Sequence, residues 1–93
     1  MSGAPLEADV FRAVADPTRR AMLDRLRDGD LTVGDLAVPL KMTRAAVSQH
    51  VRVLRLASLV RTRRDGRHVV CSLHREPMRR VSGWASRFAG PDV

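Results

Sequence analysis

Arg44, Ala45, Ser48, Gln49 and Arg52 lie within residues 44–52, and at 100° per residue they gather on one side of a helix. Val47, Val51 and Leu54, spaced i, i+4 and i+7, gather on the other side. The chemistry of the polar side is recognition of base edges. A Gln amide can pair with adenine, an Arg fork with guanine and a Ser hydroxyl with either, while the Ala45 methyl can meet thymine. Thr43 suits the N-cap of this helix. Any exposed helix can present such a face, so its neighbours in the chain decide what it means.

The next segment is a basic hairpin. Asp65-Gly66 is a strong signal for a type I′ turn, whose central positions need positive φ. Pairing about that turn sets Arg64 opposite Arg67, Arg63 opposite His68, Thr62 opposite Val69 and Val60 opposite Cys71. Alternation then turns Val60, Thr62, Val69 and Cys71 inward and Arg61, Arg63 and His68 outward. Like charges facing each other across the tip disfavour the hairpin alone, and an anionic partner would relieve them.

Charge is divided along the chain in the same sense. Residues 1–40 hold five Arg against seven Asp and Glu, a net of −2, whereas residues 41–75 hold nine Lys and Arg against Asp65 alone, a net of +8. This asymmetry within a chain of net charge +7 marks a basic face for a polyanion. Sixteen of the 17 basic residues are Arg, whose planar fork fits phosphates and guanine edges. Residues 41–75 hold no aromatic side chain to stack on an unpaired base, which argues against readers of single strands and RNA loops. An enzyme fits worse still. Ser48 and His50 stand two apart on one helix and point apart, and no paired carboxylates, glycine-rich phosphate loop or metal cluster is visible.

The elements that position these residues can be read around them. Val10, Phe11 and Val14 stripe a first helix from about Glu7 to Ala15. Asp16-Pro17 starts a second, with Met22, Leu23 and Leu26 buried and Asp28-Gly29 stopping it. Thr32 begins a third, with Asp35 completing a weak capping box and Pro39 keeping it short. After the hairpin, Glu76-Pro77 opens a last helix striped by Val81, Trp84, Ala85 and Phe88. Ninety-three residues support one domain with a modest core, which a second copy can extend. A dimer surface is therefore expected from Val10, Phe11, Val14, Val81, Trp84 and Phe88; the other reading is that Trp84 and Phe88 close the core of a monomer. Residues 1–6 and 90–93 are expected to fray. No apolar run is long enough to span a bilayer, the first ten residues lack a cationic segment followed by an apolar one, and Cys71 has no partner for an intramolecular disulfide, so a cytoplasmic protein is expected.

Several motifs stand in a familiar order: Asp16-Pro17-Thr18-Arg19-Arg20, Thr32-Val33-Gly34-Asp35-Leu36-Ala37, Val47-Ser48-Gln49-His50-Val51 through Leu54, and Leu59-Val60 with Arg64-Asp65-Gly66-Arg67. From Val10 to Phe88 the chain resembles the ArsR/SmtB family of winged-helix bacterial repressors. The resemblance implies a mainly α winged helix-turn-helix of about five helices plus a two-stranded wing, homodimeric through its terminal helices. The fourth helix would enter the major groove, with the wing beside the backbone or minor groove of double-stranded DNA. Thr43, Arg44, Ala45, Ser48, Gln49, His50, Arg52, Arg61, Arg63, Arg64, Arg67 and His68 form the DNA-facing set. The chain also departs from the pattern. Thr32 and Gly34 stand where metal-sensing members carry two cysteines, no His follows His74, and no set of about four zinc ligands is visible. No cofactor is therefore expected. A metal- or redox-responsive repressor with a non-standard sensor site remains an alternative, as does an accessory protein without sequence choice, and an inducer would be an unidentified small molecule or protein. Lys41 and Ser58 stand where members often have Gly, so either these residues adopt costly left-handed conformations or the local turns have changed. Cys71, where many relatives have an aromatic, reads as a small buried residue.

Overall fold

The structure, a computed structural model, describes residues 6–90. Its elements are α1 (Leu6–Ala15), α2 (Pro17–Leu26), β1 (Leu31–Thr32), α3 (Val33–Leu40), α4 (Arg44–Leu56), β2 (Val60–Asp65), β3 (His68–Leu73) and α5 (Met78–Ala89). The fold is the expected winged helix-turn-helix, with a third strand that the sequence did not announce. Leu6 is the first residue of α1 and the Gly90 N–H donates to the Ser86 carbonyl at 3.0 Å; the other residues expected to fray lie outside the described residues.

The Asp16–Arg20 motif splices the first two helices. Asp16 leaves helical geometry, and its carboxylate accepts the Arg19 N–H at 2.9 Å to cap α2, with Pro17 at the first position. The two arginines then turn back on α1. Arg19 Nε donates to the Ala13 carbonyl at 2.8 Å and Nη2 to Arg12 at 3.1 Å, while Arg20 Nη1 donates to Val14 at 2.9 Å and Ala15 at 3.0 Å. These carbonyls belong to the last turn of α1, where no helical N–H remains to serve them.

The capping box of α3 is complete: the Asp35 N–H donates to Thr32 Oγ1 at 3.0 Å and the Thr32 N–H to Asp35 Oδ2 at 3.2 Å. Pro39 does not end this helix, which runs on to Leu40 and stops at Lys41 with φ 54° and ψ 43°. There the Met42 N–H reaches the Ala37 carbonyl and the Lys41 N–H that of Val38, both at 3.1 Å, the paired closure of a Schellman motif. The end of α4 repeats it, with Ser58 at φ 61°, Ser58 N–H to the Arg55 carbonyl and Leu59 N–H to that of Leu54, both 2.9 Å. The turns have thus kept their glycine geometry without glycine.

The sheet is antiparallel in the order β1-β3-β2. Its hairpin pairs Asp65 with His68, Arg64 with Val69, Arg63 with Val70, Thr62 with Cys71, Arg61 with Ser72 and Val60 with Leu73, two residues out of the expected register. The central turn residues are Gly66 and Arg67, and only Gly66 has positive φ, as a type II′ turn requires. Asp65 is therefore a strand residue facing His68, and the unfavourable Arg64–Arg67 and Arg63–His68 pairs do not form. Because the slip is even, every side chain keeps its expected face. Burial divides that face differently: Val60 and Cys71 are buried, Val69 is half-buried and Thr62 is exposed. On the opposite face Val70 is buried too, between its cross-strand neighbours Thr32 and Arg63.

One core is built from the first four helices and the sheet, and α5 only leans Met78 and Val81 against it. Val10 and Ala13 from α1, Met22 from α2, Leu36 from α3, and Val47 and Leu54 from α4 are fully buried against Leu59, Val60 and Cys71. Val10 is thus a core residue and offers nothing to a second subunit; Val14 and Val81 are half-buried against the same core. α5 has no buried residue. Its Trp84 and Phe88 remain 50% and 75% exposed, and Trp84 stacks edge-on against Phe11 at 5.5 Å between centroids.

Candidate nucleic-acid interface

α4 is fixed at both ends and along one side. Thr43 Oγ1 accepts the Ala46 N–H at 3.1 Å, Ser58 closes the far end, and Val47, Val51 and Leu54 seat the inner face in the core. The outer face carries Arg44, Ala45, Ser48, Gln49 and Arg52, all exposed together with Thr43. None of their side chains forms a hydrogen bond with another described residue except Thr43 through its cap. Small Ala45 and Ser48, flanked by Arg44 and Arg52, allow close approach to a groove, and the longer polar side chains can form hydrogen bonds within it.

Arg44 has a seat. A Cβ placed on Gly34 would lie 3.2 Å from Arg44 Nη2 and 3.5 Å from its Cζ, so the guanidinium rests on the first turn of α3 in space that a side chain would crowd. Both positions that the resemblance matches to the cysteines of metal-sensing members have other work here: Thr32 caps α3 and Gly34 leaves room for Arg44.

His50 departs from the expected set. It is half-buried on the flank of α4, with Nδ1 3.4 Å from Arg19 Nη1 and 4.0 Å from Asp16 Oδ2. It thus joins α4 to the α1–α2 splice, whereas Ser48 and Gln49 face solvent. The Arg19 N–H holds the Asp16 carboxyl below its ordinary value, helped by the charges of Arg19 and His50.

The wing carries its cations in different settings. Arg64, Arg67 and His68 are exposed around the tip, and neither Arg64 nor Arg67 lies within 4 Å of a carboxylate among the described residues. Arg61 turns towards the root, its Nη2 3.5 Å from His74 Nε2. Arg63 is paired, with Nη1 3.0 Å from Asp30 Oδ2 and 3.3 Å from Ser72 Oγ. That partnership lies 33 residues away in sequence, and no periodicity points to it. The contributions of Gly34 beside Arg44 and of Arg19 beside His50 were likewise invisible, since each arises between two different helices.

Cys71 is fully buried on the central strand, and burial, with the negative charge of Asp30 adding to it, pushes its thiol above the ordinary value.

A helix-turn-helix domain model matches residues 14–63, the span from the end of α1 to the middle of β2. The chain is 34% identical over 80 residues to the transcriptional repressor SdpR of Bacillus subtilis, covering 86% of this chain and 89% of that one. It is 38% identical over 91 residues to the regulator KmtR of Mycobacterium tuberculosis, covering 95% and 70%. A solved ArsR family transcriptional regulator superposes with a TM-score of 0.80 at 36% identity, over 94% of this chain and 91% of the other. The chain belongs to the ArsR/SmtB family of winged-helix transcriptional regulators. The matched span takes in α2, α3 and α4 and the first half of the β2–β3 hairpin, the helix-turn-helix and the wing of this fold. No helix among the described residues is long and apolar enough to cross a membrane.

Proposed function

We propose that this ArsR/SmtB regulator is a sequence-specific repressor that binds an imperfect palindrome as a homodimer, without a metal cofactor, and blocks transcription by occupying a promoter. The observation that carries the proposal is the exposed outer face of α4, where the Arg44, Ser48, Gln49 and Arg52 side chains make no hydrogen bond among the described residues, beside a wing whose tip arginines have no acidic partner among them. Ala45, Ser48, Gln49 and Arg44 read base edges; Arg52, Arg61, Arg64, Arg67 and His68 hold phosphates. The exposed aromatic stripe of α5 supports assembly about a two-fold axis. Two recognition helices then reach successive major grooves about 34 Å apart, so half-sites lie near one helical turn from centre to centre. The capping role of Thr32 and the seat at Gly34 support a regulator that works without thiolate-bound metal.

Footprinting on DNA upstream of its own gene, with and without divalent metals and oxidants, tests binding, symmetry and release together. A protected two-fold site that survives stoichiometric metal is expected. The two residue groups should also fail differently. Gln49→Ala should cost about 1–3 kcal/mol at its own base pair and little on scrambled duplexes, whereas Arg64→Ala should weaken binding on every sequence and flatten the salt dependence by about one unit. Equal losses on matched and scrambled duplexes from both variants would refute this division.

A further inference from the structure

Asp30 ends the turn between α2 and β1. In the register of the sheet, Leu31 faces Cys71 and Arg61 faces Ser72, so Asp30 falls beside Ser72 on the face that carries Arg61 and Arg63. Arg63 lies opposite Val70 and sends its guanidinium diagonally back across β3, 3.0 Å from Asp30 Oδ2 and 3.3 Å from Ser72 Oγ. Among the described residues this is the ion pair that engages a wing arginine.

We propose that Asp30 is an internal competitor for the DNA phosphate: it occupies Arg63 in the free protein and so sets how tightly the wing grips any duplex. The inference rests on the DNA-binding reading above. Carboxylate and phosphodiester oxygens offer a guanidinium the same kind of charged acceptor, so the two compete for one fork. The side chains are 58% and 44% exposed, and pairs this open are held weakly enough to exchange partners. Once Arg63 turns to a phosphate, Asp30 is left unpaired near a polyanion. Its charge therefore opposes binding whether or not the pair breaks. Since the contact touches no base-reading residue, it scales affinity without changing sequence choice.

Asp30→Asn keeps the size and removes the charge. Fluorescence anisotropy with the full chain, on operator and scrambled duplexes across a salt series, should show about threefold to tenfold tighter binding on both. The plot of log affinity against log salt should steepen by about one unit. In the wild type, Arg63→Ala should flatten that slope less than Arg64→Ala does, because Arg63 arrives already paired. In the Asp30→Asn background, Arg63→Ala should cost its full share and cancel the gain. Weaker or unchanged binding by Asp30→Asn would overturn the proposal, as would equal slope changes from Arg63→Ala and Arg64→Ala in the wild type; the latter comparison does not depend on how Asp30→Asn folds. Failure of the wild type to bind any duplex would instead remove the DNA-binding reading itself.

Discussion

Lys41 and Ser58 carry the clearest local strain in the molecule. Each sits in the left-handed region, at φ 54° and 61°, Lys41 closing α3 and Ser58 closing α4. A Cβ crowds the neighbouring carbonyl there, which costs about 1 kcal/mol relative to glycine. Lys41→Gly and Ser58→Gly should therefore each raise stability, by about 0.5 kcal/mol at most once the greater entropy of an unfolded glycine is subtracted. Urea denaturation should show a higher midpoint at unchanged slope for each variant, and nearly additive gains for the pair. The sequence posed this choice without resolving it: either the residues bear the strain or the turns change. The hydrogen bonds from Met42 to Ala37 and from Leu59 to Leu54 resolve it, because such closures leave the connecting residue no other conformation. Residue roles set by long-range contacts were not legible in this way. Gln49 and Ser48 could be placed on the outer face by counting alone, but His50, only one position on, is claimed by Arg19, 31 residues away.

At the scale of elements, what was legible is what has a period or a cap. The helices could be read from stripes and from Asp16, Thr32 and Thr43, and the inward and outward faces of the wing survived an error in register because alternation is indifferent to an even slip. β1 was not legible, since two residues carry no alternation and one of them, Thr32, is also a helix cap. The caps themselves titrate. Asp16 is held below its ordinary carboxyl value of 3.8 chiefly by the Arg19 N–H, and Asp35 chiefly by the Thr32 N–H with the Thr32 hydroxyl adding to it. Because folding lowers these values, the stabilisation is fully present above pH 3.8 and is lost as pH falls below it through the folded values. Chemical denaturation should accordingly show a midpoint that drops on acidification below about pH 4. In Asp16→Asn, whose amide oxygen still caps α2 but does not titrate, that acid limb should be shallower; an identical limb would assign the loss to other groups.

For the whole molecule, α1 faces both ways, and that duality bears on the proposed dimer. Val10 and Phe11 are adjacent, yet Val10 is sealed in the core while Phe11 meets Trp84, so a stripe that reads as one apolar surface in sequence is divided between the core and the α5 contact. The subunit core needs Val10; the proposed dimer needs the outer side. Phe88 is the cleanest probe of the second, because it is 75% exposed and its one aromatic neighbour, Trp84 at 5.0 Å, lies on the same helix. Burying such a side chain stabilises an interface by about 2 kcal/mol, and a two-fold axis counts it twice. Phe88→Ala should then raise the dimer dissociation constant by about a thousandfold while leaving the subunit folded. Sedimentation velocity across a dilution series would read the first effect and circular dichroism the second. Affinity for a single half-site should persist while affinity for the full palindrome falls, since each subunit keeps its own α4 and wing but loses the spacing between copies. If the variant sediments as the wild type does, the α5 stripe is not the dimer contact, and the two recognition helices must be held apart by some other surface.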